Sequence, residues 1–205
     1  MSFLTRYIFI LAAVLFLLPG CTLLPDPKPQ AQDKYLLEYS ASGSVTDIGE
    51  NIPVMIVTLP RAHGGYDSLR IAYKKQQFGL RYYVKSRWAD TPARMLAPLI
   101  TEAMNETGSF LALYATPGAV TARYRLDTEL INFYQDFTSQ PSEAHVTLRA
   151  QLVNLNGNRV MATRLFDVRE AASSEDTFGG VQAANRATAR LVGELAQFCV
   201  SRINR

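Results

Sequence analysis

The chain has 205 residues, with 21 Lys and Arg against 18 Asp and Glu, two His, two Cys and a formal net charge of +3. Its charges are interspersed rather than gathered into a block or stripe, which excludes the electrostatic footprint of a nucleic-acid-binding protein. No self-similarity recurs at a period of about 20–50 residues, so a repeat architecture is excluded as well.

Residues Met1 to Leu17 read as a secretory signal peptide. Arg6 is the only charge there, and an apolar run from Tyr7 to Leu18 follows it. A spanning helix needs roughly 20 apolar residues, whereas a cleavable signal has an apolar core of about 7–15. Leu18-Pro19-Gly20-Cys21 then resembles the lipobox of bacterial lipoproteins. That resemblance implies a signal peptide over 1–20 and an acylated Cys21 as the mature N-terminus, bearing diacylglycerol and an N-linked acyl chain such as palmitate. Each buried CH₂ contributes about 0.8 kcal/mol, and more than one chain makes such an anchor stable. Thr22, rather than Asp, follows Cys21. In the sorting pattern of Gram-negative lipoproteins this favours the outer membrane, with the domain on its periplasmic face. Residues 21–33 carry Pro25, Pro27 and Pro29 among polar residues and read as a tether. In polyproline II such a tether reaches roughly 35 Å. If Cys21 carries lipid, Cys199 has no partner within the chain.

Residues 34–205 read as a single α+β domain. Lys34–Tyr39 is a first strand, Ser40–Glu50 a polar loop, and Pro53–Leu59 a β-branched run buried on both faces. Arg61–Asp67, with Gly64 and Gly65, reads as a loop. Leu69–Lys74 and Leu80–Lys85 form a hairpin. Thr91 is the expected N-cap of a helix opening at Pro92, with Met95, Leu96, Leu99, Ile100, Ala103 and Met104 on one stripe and Gly108 ending it. Phe110–Ala115 is a strand, followed by a turn at Thr116-Pro117-Gly118. Ala122–Phe137 is a long strand whose apolar phase flips near Leu130, the mark of a bulge or of two-sided burial. Val146–Leu155 and Arg159–Glu170 flank Asn156-Gly157, a hairpin signal. A two-residue turn there sets Leu148 opposite Leu165, Leu152 opposite Met161 and Arg149 opposite Arg164. Ser173 to Asp176 could form a capping box. It precedes a last helix, Thr177–Ile203, with Val181, Ala184, Thr188, Leu191, Leu195, Phe198 and Cys199 on its apolar stripe. The expected fold is a two-layer α+β domain, a mostly antiparallel sheet with both helices on one face. The other face carries Tyr and charged residues and is available to a partner.

No catalytic chemistry is legible. There is no nucleophile elbow, Walker loop or dinucleotide fingerprint. His63 and His145 have no Cys, Asp or Glu at metal-ligand spacing and read as isolated, exposed residues. No metal, catalytic residue or non-covalent cofactor is expected, and the chain reads as a non-enzyme. Gly179-Gly180 has two readings: backbone N–H groups for an anion, or two small residues that bring a helix close to the sheet. Trp88 likewise reads either as an anchor for a partner or as a plug at the strand-to-helix junction. Cys199 reads as a small core residue.

Several motifs in order resemble those of the ABC-type transport auxiliary lipoproteins, partners of Mce-domain lipid transporters. They are Leu59-Pro60 closing an early strand, Arg87-Trp88-Ala89-Asp90 before a helix, and the strand Tyr124-Arg-Leu-Asp-Thr-Glu-Leu-Ile-Asn-Phe133. Gln151-Leu-Val with Gly157, Arg164-Leu-Phe166 and the Ala-rich helix after Gly180 complete the set. The departure is Arg61-Ala-His-Gly-Gly-Tyr66, where a shorter segment is expected. The resemblance implies a non-catalytic accessory of an inner-membrane permease and ATPase. It would dock a periplasm-spanning Mce-domain protein at the outer membrane, for passage of lipids or other hydrophobic molecules between membranes. Only Cys21 transfers as a functional residue. The resemblance also allows a homo-oligomeric ring, which this sequence does not itself show. A different reading is an envelope lipoprotein that scaffolds or activates a cell-wall synthase, and a third is direct lipid carriage.

Overall fold

The computed structural model describes residues 31–39, 52–114 and 121–203. The signal peptide, Cys21, the tether as far as residue 30, the Ser40–Glu50 loop and the Thr116-Pro117-Gly118 turn lie outside the described residues. In chain order the elements are β1 (Asp33–Tyr35), β2 (Val54–Val57), β3 (Arg61–Ala62), β4 (Arg70–Lys74), β5 (Arg81–Trp88) and α1 (Pro92–Glu106), then β6 (Leu111–Tyr114), β7 (Tyr124–Asp136), β8 (Glu143–Asn154), β9 (Arg159–Ala171) and α2 (Thr177–Ile203).

Strand β7 is the spine. One side pairs antiparallel with β8 along its length, and β8 pairs antiparallel with β9. The other side is met in series by β2, β3 and β4, each parallel to β7, with β6 beyond β2 and β5 and β1 beyond β4. By paired length the sheet is mostly antiparallel, and the architecture is α+β as the sequence implies. The short parallel joins have no local signal. They make a strand of Arg61–Ala62, inside the segment read as a loop, and they reduce the first strand to Asp33–Tyr35, parallel to β5. Strand β2 lies between β6 and β7, and Met55, Ile56 and Val57 are buried, as its unbroken apolar run predicts.

Both helices bury their predicted stripes in the same core as the inward residues of β7 and β8. Leu96, Ile100, Leu126, Leu130, Leu148, Leu152, Leu191 and Leu195 are fully buried. Each such side chain contributes about 1.5–3 kcal/mol relative to exposure. Pro92 opens α1, and Gly108 (φ 63°) follows it in a conformation that costs glycine least. The Thr91 side chain makes no cap hydrogen bond, contrary to the expected cap. On α2 the expected box from Ser173 is replaced by Asp176, whose Oδ1 accepts the Gly179 N–H at 2.8 Å.

Two bulges decide what each long strand buries. The phase flip in β7 is a bulge between Leu130 and Asn132, and it returns Phe133 to the core face. The β8–β9 hairpin starts in the predicted register, Asn154 opposite Arg159 and Val153 opposite Val160. A shift between Leu152 and Val153 then sets Met161 out of the ladder, so that Leu152 faces Ala162 and Leu148 faces Phe166. Arg149 consequently faces Leu165, and the expected Arg149–Arg164 opposition does not form. Two like charges directly opposite would be destabilising. The turn differs too. Among the non-glycine residues there only Asn158 has a positive φ (43°), and the Asn154 side chain accepts the N–H groups of Asn156 and Gly157. The left-handed residue therefore follows the Asn-Gly pair instead of lying within it.

Candidate interaction face

Helix α2 covers one face of β7, β8 and β9, and α1 lies beside it over β2, β3 and β6. The opposite face presents a polar ladder, because strand side chains alternate. Its rungs read Glu129–Arg149–Leu165, Asn132–Thr147–Asp167 and Tyr134–His145–Arg169 across the three strands. Arg149 donates to Glu129 Oε2 at 2.5 Å, and His63, carried by the segment after β3, meets Glu129 Oε1 at 3.0 Å. The His63 hydrogen bond, reinforced by Arg149, holds the Glu129 carboxyl below the usual carboxylate range.

His145 is not exposed as its isolation in sequence suggests: it is 6% exposed. Its Nδ1 lies 2.7 Å from the Tyr134 hydroxyl and its Nε2 2.6 Å from Asp167 Oδ1. Thr147 donates to the same Asp167 oxygen and accepts from Asn132 Nδ2 at 3.1 Å. The consistent tautomer has Nε2–H donating to Asp167 and Nδ1 accepting from Tyr134. Thr147 Oγ1 also lies 3.1 Å from Nε2. A hydroxyl nucleophile needs a base nitrogen of its own while the acid orients the other. Here Thr147 and Asp167 share one nitrogen, so the cluster locks three strands together and leaves no activated nucleophile. Burial opposes ionisation of Asp167, but the hydrogen bonds from Thr147 and His145 outweigh it and keep the carboxyl below its usual range. Burial likewise opposes ionisation of Asp136, where two hydrogen bonds from Thr138 prevail.

These depressed carboxylates have a consequence in acid. Their folded-state values lie below the ordinary value of about 3.9. The unfolded chain therefore takes up protons first, and the stability they contribute is complete above about pH 5 and lost as pH falls through the folded values. We expect the unfolding midpoint to drop between about pH 5 and pH 2, and the drop to shrink in Asp136→Asn/Asp167→Asn. Denaturant titrations at each pH read this directly, and an unchanged slope in the double variant refutes the assignment.

One end of this face is covered by an aromatic cluster. Tyr66, 8% exposed, stacks on Tyr134 with ring centres 6.2 Å apart. Tyr82 donates to the Gly65 carbonyl at 3.0 Å, and Lys74 Nζ lies 4.1 Å from the Tyr134 ring centre. The segment Arg61–Tyr66, the departure noted in the sequence, thus closes over the sheet. Burial pushes the Tyr66 phenol up to about 12.

Trp88, the sequence candidate for partner binding, is 2% exposed and packs on Phe133 at 5.3 Å. It plugs the strand-to-helix junction and presents no surface here. Gly180 sits against Gln135 of β7, which is the close-approach reading of the glycine pair. The helix start is taken by the chain's own Asp176 carboxylate. Cys199 is fully buried, and burial raises its thiol to about 12. In Cys21→Ala protein we expect Cys199 to resist thiol reagents until the fold opens. Rapid stoichiometric labelling of native protein would place it at the surface instead. Among the described residues no three His, Cys, Asp or Glu converge as a metal site, and no helix is long and apolar enough to cross a membrane. Cys21 lies outside the described residues. Sequence reasoning missed the His145 network because Tyr134, Asp167 and Thr147 reach it only through strand register.

The family model described as ABC-type transport auxiliary lipoprotein component matches residues 35–196. No curated protein matches the chain at significance. A crystal structure of a protein from Xanthomonas campestris is 23% identical, with 83% of this chain and 96% of that one covered and a TM-score of 0.73. A crystal structure of an uncharacterized protein is 9% identical, with coverages of 82% and 99% and a TM-score of 0.67. At these identities the likeness shows the fold alone.

Proposed function

The chain belongs to the ABC-type transport auxiliary lipoprotein components, and from that premise we propose that it is a non-catalytic accessory anchored to the outer membrane through acylated Cys21. In this reading it docks a periplasm-spanning Mce-domain protein of an ABC transporter and supports movement of lipids or other hydrophobic molecules between the inner and outer membranes. The observation that carries the reading is the family match, which runs from β1 well into α2. The folded part supports it with a polar sheet face locked by its own hydrogen bonds. The covalent lipid on Cys21 is the only non-protein group required, and the tether gives the domain its reach. Self-association belongs to the same reading, and the mass of the detergent-extracted protein by light scattering checks it.

The test is a crosslinking pull-down of the full-length protein from membranes, beside a Cys21→Ala control. Recovery of an Mce-domain protein, lost or mislocalised in the control, is the expected result. Recovery of cell-wall synthases in its place overturns the transport reading in favour of an envelope scaffold.

A further inference from the structure

Among the described residues four strands of the sheet have an open side: β1, the two-residue β3, β6 and β9. An exposed strand edge offers unpaired N–H and C=O groups to any passing extended chain, and proteins close such edges. Two of these are closed here by asparagines. Asn105 of α1 accepts the Ala112 N–H of β6 at 2.7 Å and donates to the Ala112 carbonyl at 3.1 Å. Asn185 of α2 does the same just beyond β1, accepting the Glu38 N–H at 2.7 Å and donating to the Leu36 carbonyl at 3.1 Å.

Strand β9 is treated differently. Its last outward carbonyls are occupied by arginines of α2, Arg190 on Arg169 at 3.0 Å and Arg186 on Ala171 at 2.6 Å. Outward groups recur every second residue, so Thr163, Leu165 and Asp167 come next, and among the described residues no such closure reaches them. Beside them runs an open groove between β9 and α2, lined by Arg164, Gly193, Glu194, Gln197, Phe198 and Ser201. Gly193 leaves that groove unfilled: a Cβ there would meet nothing within 4 Å. Leu165, 54% exposed, stands on the opposite side of the same strand.

The charge left without a partner along this edge is positive, because Glu194 of the groove lies 3.9 Å from Arg190 and Asp167 is held by His145 at 2.6 Å. Arg164 stacks on Phe166 and Phe198. Arg202 also stacks on Phe198, and its Nε is buried with no acceptor. Among the described residues Arg159, Arg164 and Arg202 form no ion pair. Pairing β9 with β9 of a second copy would bring these arginines against one another, which is destabilising.

We propose that the Thr163–Asp167 edge of β9 is a strand-addition site for an extended, acidic segment of a partner protein. Main-chain hydrogen bonds to Thr163, Leu165 and Asp167 hold the segment. Its carboxylates meet Arg164 and Arg202, and its inward side chains occupy the groove that Gly193 leaves open. The inference stands on the edge itself and does not depend on what is transported.

A photoreactive residue in place of Leu165, and separately of Gln197, in the full-length acylated chain tests it in intact envelopes. The expected result is that both positions capture one and the same acidic segment. Capture is expected to fall about tenfold in Arg164→Glu, an exposed charge reversal, and in Gly193→Gln, which fills the groove. Native Trp88 emission in both variants checks that they fold. The segment made as a peptide is then expected to slow amide exchange at Thr163, Leu165 and Asp167. Adducts to β9 of a second copy, to lipid, or to no single segment overturn the proposal, as does capture undiminished in both variants.

Discussion

Phe166→Ala lowers the stability of the domain by about 3–5 kcal/mol, while Leu165→Ala, one residue earlier, changes it by no more than about 0.5. The contrast follows from the shift at Met161. In the register set by the turn alone, Leu165 would face the fully buried Leu148. The bulge hands that place to Phe166, 2% exposed, whose ring meets Phe198 of α2 edge-on at 5.8 Å. Truncating Phe166 therefore opens a cavity between sheet and helix, whereas Leu165 loses only solvent-facing surface. Denaturant unfolding followed through Trp88 measures both. Equal losses, or a larger one for Leu165, would show that β9 runs in the unshifted register.

The second large effect is expected at the start of α2. A Cβ at Gly179 would fall 2.2 Å from the Ser174 carbonyl oxygen, and backbone cannot swing aside. A Cβ at Gly180 would fall 2.0 Å from Gln135 Oε1. Gln135 is itself held, donating to Ser142 at 2.9 Å and accepting from Tyr83 at 2.8 Å. Moving it gives up bonds made in a buried site. Gly179→Ala and Gly180→Ala are each expected to cost about 1–3 kcal/mol, the former more. Gly193→Ala reverses the sign, because nothing lies within 4 Å of its added Cβ and alanine in a helix interior gains about 0.5–1 kcal/mol over glycine. Thermal melts of the three variants decide it. Three losses of similar size would mean that close packing is not what selects glycine at 179 and 180.

Much of the frame was legible where the signal is local. Helix α2 occupies the expected Thr177–Ile203, and α1 begins at Pro92. Their stripes read correctly because residues three and four apart share a helix face whatever the helix packs on. The phase flip at Leu130 was visible for the same reason, since alternation is a property of one strand, and of its two readings, a bulge or two-sided burial, the structure has the bulge. The readings of His145 and of the Arg61–Asp67 segment failed on partners far away in the chain. His145 looked solitary because Asp167 is 22 residues distant, and Arg61–Ala62 looked like loop because the strand that pairs with it is β7.

The sequence by itself determined two amphipathic helices and a long hairpin-linked run of strands. These rest on short-range periodicity, caps and motif spacing. Only the tertiary structure decided that β2, β3 and β4 join β7 in parallel, that Met161 shifts β9 by one residue, and that Trp88 and His145 are buried. Alternation states which residues share a face of a strand. It cannot state which neighbour pairs with that strand or where a bulge exchanges the faces, because both depend on contacts closed across long stretches of chain.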